Sequence, residues 1–153
     1  MANGSTDASW RTPPSTHARP GQLDRNALRV LSREESLRLI AEVPVGRIGM
    51  VVASVLVIVP VNFALLDGDV VFRTGTGSKL ATVVDRGVLT LEVDSLELST
   101  RTGWSVLVTG VASELVRPDD VAAADALGLE SWVAGRCRYI RIRSDEVSGR
   151  RLV

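Results

Sequence analysis

Apolar positions along this chain recur mainly at a spacing of two. Alternating or Val-rich apolar runs at 45–52, 56–66, 69–74, 88–94, 103–115 and 138–143 predict six strands. Asp67-Gly68 joins the second and third as a two-residue hairpin, so that pair should be antiparallel. Pro60 cannot donate to a ladder and marks an edge or bulge in the second strand, and Gly110 marks a bend in the fifth. Helical signals are short. Ser32-Arg33-Glu34-Glu35 has the form of a capping box, ahead of a helix that should bury Leu37, Leu39, Ile40 and Ala41 and stop near Pro44. A second helix is expected over 77–84, and a third begins at Pro118-Asp119-Asp120. Residues 96–102 read as a polar connection and 145–153 as a closing segment. The first 24 residues lack periodicity and are rich in Ser, Thr, Pro, Gly and Arg, which predicts a disordered or loosely ordered tail before a domain at 25–153. Trp10 stands alone in that tail and is expected to dock on the domain or on a partner, if on anything. Six mostly antiparallel strands with short helices make a small closed or partly open barrel, the architecture that removes most sheet edges.

Composition narrows the chemistry. At 153 residues and 45% apolar content the chain can bury a core, but only 4% is aromatic, so the interior must be built from Val, Leu, Ile and Ala. A formal net charge of zero gives no broad attraction to nucleic acid or to an anionic membrane. The longest apolar run, 48–66, is interrupted by Ser54, Pro60 and Asn62 and is dense in Val, which favours strands over a membrane span. One cysteine, Cys137, allows no internal disulfide, and the first thirty residues contain no apolar signal-like core, so a cytoplasmic setting is expected. The only histidine, His17, lies in the tail. A histidine-based triad, a multi-histidine zinc site and a histidine-ligated haem in the domain all lack their key residue, and redox chemistry would need an organic cofactor.

The stretch Val70 to Leu80 concentrates polar chemistry. An apolar strand runs into Arg73-Thr74, Gly75 and Gly77 allow a sharp turn, and Ser78-Lys79 opens the expected second helix. Two cations, three hydroxyls and the free N–H groups of a helix start suit a phosphate or another small oxyanion. The same residues would equally serve a solvated strand-to-helix loop. Lys79 is the only lysine beside seventeen arginines. The stretch lacks the third glycine of a dinucleotide fingerprint and the Gly-Lys-Ser/Thr order of a P-loop. Asn62, between Val61 and Phe63, needs hydrogen-bond partners if buried, from backbone or from a ligand.

Taken in order, Val45-Gly46-Arg47-Ile48-Gly49, Pro60-Val61-Asn62-Phe63, Phe72-Arg73-Thr74 with Gly77-Ser78-Lys79-Leu80, Arg101-Thr102-Gly103-Trp104-Ser105-Val106, Trp132 and Gly149-Arg150-Arg151 resemble the pyridoxamine 5'-phosphate oxidase-like FMN-binding split barrels, over about residues 28–152. The resemblance implies a six-stranded split β-barrel and a homodimer with cofactor sites at the subunit interface. It implies that Arg73, Thr74, Ser78 and Lys79 hold the cofactor phosphate, and that Val61, Asn62 and Phe63 run along the isoalloxazine ring. Trp104 and Ser105, and Trp132 with them, would close the site from the other chain. Pyridoxal-phosphate-binding residues of the oxidase proper find no match here. Within the expected domain there is no His, and Tyr139 is the one Tyr that could donate a proton.

The expected function is therefore an FMN-binding oxidoreductase that transfers hydride to or from a small organic substrate. Two other readings share the residues: reduction with the deazaflavin F420 as cosubstrate, and a non-catalytic flavin-binding or stress protein.

Overall fold

The computed structural model describes residues 18–77, 87–130, 132 and 135–153. The expected helix at 77–84 and the tail with Trp10 and His17 lie largely or wholly outside these residues, as do Ser78 and Lys79.

Eight strands and two helices are described. The strands are β1 (Arg29–Leu31), β2 (Val45–Val52), β3 (Val55–Leu66), β4 (Asp69–Gly75), β5 (Val88–Glu97), β6 (Thr102–Glu114), β7 (Cys137–Ile142) and β8 (Glu146–Leu152); the helices are α1 (Arg33–Ala41) and α2 (Pro118–Asp125). All pairings are antiparallel, in the order β1-β8-β6-β5-β2-β3-β4-β7, and β6 also pairs with β7. The six strands anticipated from periodicity, β2 to β7, thus close a ring, the split barrel. The segment expected merely to close the chain is instead strand β8, which carries the three-residue β1 on its outer edge. β5 also runs on through Glu97, where a polar connection was expected.

Alternation explains the core. Ile48 and Met50 of β2, Leu89, Leu91 and Val93 of β5, and Val106 and Val108 of β6 are each no more than 2% exposed. They meet Phe63, Val70, Phe72, Ile140 and Ile142 from the other side of the ring. Phe63 stands opposite Phe72 in the β3–β4 ladder, and each aromatic side chain buried this way contributes about 2–3 kcal/mol. Ring closure depends on one backbone position. Up to Thr109 strand β6 pairs with β8, and from Ala112 it pairs with β7. At Gly110, between the two partners, a Cβ would lie 1.7 Å from the Arg143 carbonyl oxygen, so no side chain fits the crossover.

Turns follow the strand twist. Asp67 and Gly68 have φ of 53° and 81°, the left-handed pair a tight hairpin requires. Ala53 and Ser54 repeat this geometry between β2 and β3, with φ of 47° and 64°, without the residues that normally favour it. Pro60 pairs with Arg47 of β2 at a level where β4 has not yet joined β3, so its missing N–H faces no strand.

Half of the capping box at Ser32 forms: the Glu35 N–H donates to Ser32 Oγ at 3.1 Å, while the Glu35 carboxylate turns to Arg29 and Arg151. The buried face of α1 differs from expectation. Ile40 is buried, but Ala41 is exposed and Ser36 takes its place. Ser36 donates to the Ser32 carbonyl at 2.8 Å, which satisfies its hydroxyl inside the helix, and it sits where a Cβ on Gly149 would come within 2.4 Å of its Oγ. A small polar residue facing a glycine lets α1 lie directly on β8. Asp24 ties the preceding segment to the same strand. It accepts from the Asn26 and Leu28 N–H groups and from Arg150 Nε at 2.9 Å.

Helix α2 covers the outer face of β4 and β7. Its Ala124, with Val121 and the following Leu127 and Leu129, packs on Val71, Leu115 and Tyr139. No described helix is long and apolar enough to cross a membrane.

Candidate functional site

Strands β3, β4 and β7 carry the first group of candidate residues. Phe63 pairs with Phe72, so Asn62 and Arg73 are the next neighbours along the ladder, and both point away from the barrel interior. Arg73 in turn pairs with Tyr139 of β7. Val61 and Phe63 point inward and are buried at 7% and 4%, and Thr74, on the inward side with Phe72, is buried as well. Asn62, Arg73 and Tyr139 therefore form one row across three strands.

Each member of the row has a defined partner. The Asn62 Nδ2 donates to the Glu130 carbonyl at 2.5 Å, so of the two partners the sequence left open, backbone and ligand, the described partner is backbone. Arg73 Nη1 donates to the Leu129 carbonyl at 3.2 Å, and its guanidinium lies 5.3 Å from the centroid of the Tyr139 ring, within cation–π range. Tyr139 OH donates to Asp125 Oδ1 of α2 at 2.7 Å. Burial, and then this hydrogen bond to a carboxylate, push the Tyr139 hydroxyl above the ordinary tyrosine value, so it remains protonated at neutral pH. The one tyrosine that might have served as a proton donor is thus committed to holding α2.

Among the described residues, Arg73 combines two features: its Nε is buried without a hydrogen-bond partner, and no carboxylate pairs with its guanidinium. The Nε atoms of Arg138, Arg141 and Arg151 are also buried without a partner, but each of those side chains pairs with a carboxylate, Glu114, Asp69 and Glu35 respectively. Among the described residues Arg73 has no such counter-ion. A half-buried guanidinium with an unused donor and no neutralising carboxylate is what an anion site requires. The residues present therefore fit a phosphate group.

The second group of candidates lies elsewhere on the chain. Trp104 is half-buried and packs on the edge of the core, while Ser105 is exposed. Both line a cleft of about 180 Å³ with Leu28, Leu96, Arg150 and Leu152. One way round the ring, β5 and β2 separate β6 from β3. The other way, β6 meets β7, the neighbour of Arg73's strand, only at Ala112 to Glu114, while Trp104 and Ser105 sit at the opposite end of β6 against β5 and β8. One chain therefore does not bring them to Asn62 and Arg73. The cleft is also smaller than the few hundred cubic ångströms usual for a cofactor-sized site. Trp132 is 59% exposed, two residues beyond Glu130.

Three participants were not singled out as site residues in the sequence: Asp125, and the carbonyls of Leu129 and Glu130. A backbone acceptor leaves no residue-type signal, and Asp125 is one of eighteen acidic residues whose relation to Tyr139 exists only once α2 docks. Among the described residues no group of His, Cys, Asp or Glu could hold a metal ion.

Comparison with known proteins agrees with this architecture. The chain is 39% identical over 129 residues to an uncharacterized protein of Mycobacterium tuberculosis, covering 80% of this chain and 84% of that protein. Among solved structures it is similar to the FAD-binding protein of Mycobacterium smegmatis, with a TM-score of 0.73 and 31% identity over 81% of this chain and 99% of that one. It is similar also to a conserved protein of unknown function from Corynebacterium diphtheriae, with a TM-score of 0.70 and 33% identity over 82% and 98%. The sequence profile described as pyridoxamine 5'-phosphate oxidase matches residues 32–151, which span the barrel from the α1 cap to β8, and the chain belongs to that family.

Proposed function

We propose that this protein binds a flavin nucleotide through its phosphate at Arg73, at a site completed by a second copy of the chain, and uses it in oxidoreduction of a small organic molecule. The observation that carries the reading is Arg73 itself, a guanidinium with a buried unpartnered Nε and no carboxylate among the described residues. Thr74 follows it in β4 but turns its side chain to the inward face, and Ser78 and Lys79 follow within six residues in the sequence. Val61, Asn62 and Phe63 would border the ring. A bound flavin supplies hydride chemistry; the protein's residues bind it, orient it and exclude water.

FMN is the ligand that the sequence resemblance implies. The relative from Mycobacterium smegmatis binds FAD, and FAD would present its pyrophosphate to the same donors. The deazaflavin F420 also carries a phosphate and remains the competing cosubstrate, while a non-catalytic flavin carrier would use the same contacts.

A second copy is supported by two features. Trp104 and Ser105 line a small cleft on a part of the sheet remote from Arg73. In addition, the outer face of β2 and β3 exposes Val51, Leu56 and Ile58, each at least 60% accessible. Leu56 lies opposite Val51, and Ile58 lies opposite Gly49, which has no side chain to cover it. Such a contiguous apolar face suits an interface between subunits.

Titrating the purified protein with FMN, FAD and F420, followed by absorbance and Trp fluorescence, identifies the cofactor. Micromolar or tighter binding of FMN or FAD supports the flavin reading, and binding of F420 alone would move the function to the deazaflavin class. No binding of any of the three would overturn it.

A further inference from the structure

Resting on the flavin reading, the geometry points to an autoinhibitory contact: the segment that follows α2 occupies Arg73, the phosphate donor, is tied down beside it by Asn62, and must exchange with the cofactor for it to bind. Two donors on adjacent strands, Asn62 on β3 and Arg73 on β4, reach two consecutive backbone carbonyls, those of Glu130 and Leu129. These carbonyls are remote in sequence from both donors and adjacent in space, which makes the contact a clamp on one short piece of backbone.

The segment is delivered by a fixed anchor. Asp125, the last residue of α2, accepts from Tyr139 OH, and the chain then turns through Gly128, whose N–H donates to the Asp125 carbonyl at 3.2 Å and whose φ is +66°. The left-handed glycine ends the helix and turns the next carbonyls toward Arg73. The Leu129 carbonyl is a neutral acceptor, held in front of a guanidinium that has no carboxylate partner among the described residues. A phosphate dianion is the stronger acceptor, because it adds the attraction of opposite charges and can take two guanidinium N–H groups at once. Its arrival would therefore release Leu129 and Glu130 and, with them, the exposed Trp132. The clamp engages Arg73 Nη1 and Asn62 Nδ2, leaves Arg73 Nε unused, and makes affinity depend on the ease of releasing the segment.

Proteolysis of the full chain with a Glu-specific protease reads this directly, since the bond it cuts after Glu130 contains the clamped carbonyl. Cleavage there tracks the population of the released segment. FMN and inorganic pyrophosphate should each raise the rate at Glu130 about five-fold, the weight of one ordinary hydrogen bond, while riboflavin, which lacks the phosphate, should not. In Glu130→Gly, where a more flexible backbone disfavours the clamped state, FMN should bind about three-fold more tightly. If FMN binds, as its absorbance shows, but cleavage is unchanged or slower, the exchange is wrong and the flavin reading survives. Equal acceleration by riboflavin would also overturn the exchange, as would unchanged or weaker FMN affinity in Glu130→Gly. If FMN fails to bind while pyrophosphate still accelerates cleavage, the exchange stands and the flavin reading falls.

Discussion

At the scale of single residues, function and stability divide between two arginines. Arg73 has the unused donor. Arg150 is bound to Asp24, whose side chain is only 4% exposed. Burial alone would raise the Asp24 pKa, but the N–H groups of Asn26 and Leu28 and the Arg150 guanidinium outweigh it and hold the carboxyl below its ordinary value. A carboxyl with a depressed folded-state pKa contributes stability above its unfolded value, and that contribution is lost as pH falls through the folded one. Asp24→Asn should accordingly be less stable than the native chain at pH 7, with the gap closing as pH falls below about 4. Denaturant melts across that range check it, and a gap constant down to pH 3 would contradict the role of the charge. The sequence shows Asp24 and Arg150 only as two charges 126 positions apart, so this pair was not legible there.

Among elements, the strands of the ring were legible because each is an alternating or Val-rich apolar run that fills one side of a closed core. β8 was not. Glu146 to Leu152 alternates weakly, and its pairing with β6 depends on the Gly110 crossover, a long-range event. The α1 face was misjudged for a related reason: periodicity favoured Ala41, but the close approach of Gly149 selects the small Ser36 instead. The β2–β3 turn also carries no sequence signal. Ala53 and Ser54 take left-handed conformations that cost L-residues roughly 1–2 kcal/mol each, against about 0.5–1 kcal/mol for the greater unfolded-state freedom of glycine. Ser54→Gly should therefore stabilise the protein by about 0.5–1 kcal/mol, raising Tm by a few degrees. A lower Tm would mean that Ser54 makes a compensating contact.

For the whole molecule, the split barrel was readable from strand order and from an ordered set of motifs, while the completeness of the site was not. One chain separates the Arg73 row from the Trp104 cleft, and it leaves the Val51, Leu56 and Ile58 face open. A dimer through that face predicts that Ile58→Glu, which places a charge among exposed apolar side chains, yields monomers in analytical ultracentrifugation at concentrations where the native chain is dimeric. The Arg47 pairs with Glu92 and Asp94 on the same sheet, at 3.2 and 2.9 Å, are exposed surface pairs screened by solvent, so Arg47→Ala should leave the assembly intact. Dissociation by Arg47→Ala, with no effect of Ile58→Glu, would place the interface elsewhere.

The central claim is that a flavin nucleotide is held by its phosphate at Arg73. Calorimetric titration of native protein and Arg73→Ala with FMN and riboflavin separates phosphate from ring. FMN should bind the native chain more tightly than riboflavin, and Arg73→Ala should weaken FMN by about 1.5–3 kcal/mol while leaving riboflavin nearly unchanged. Equal losses for both ligands, or unchanged FMN affinity in the variant, would contradict the assignment.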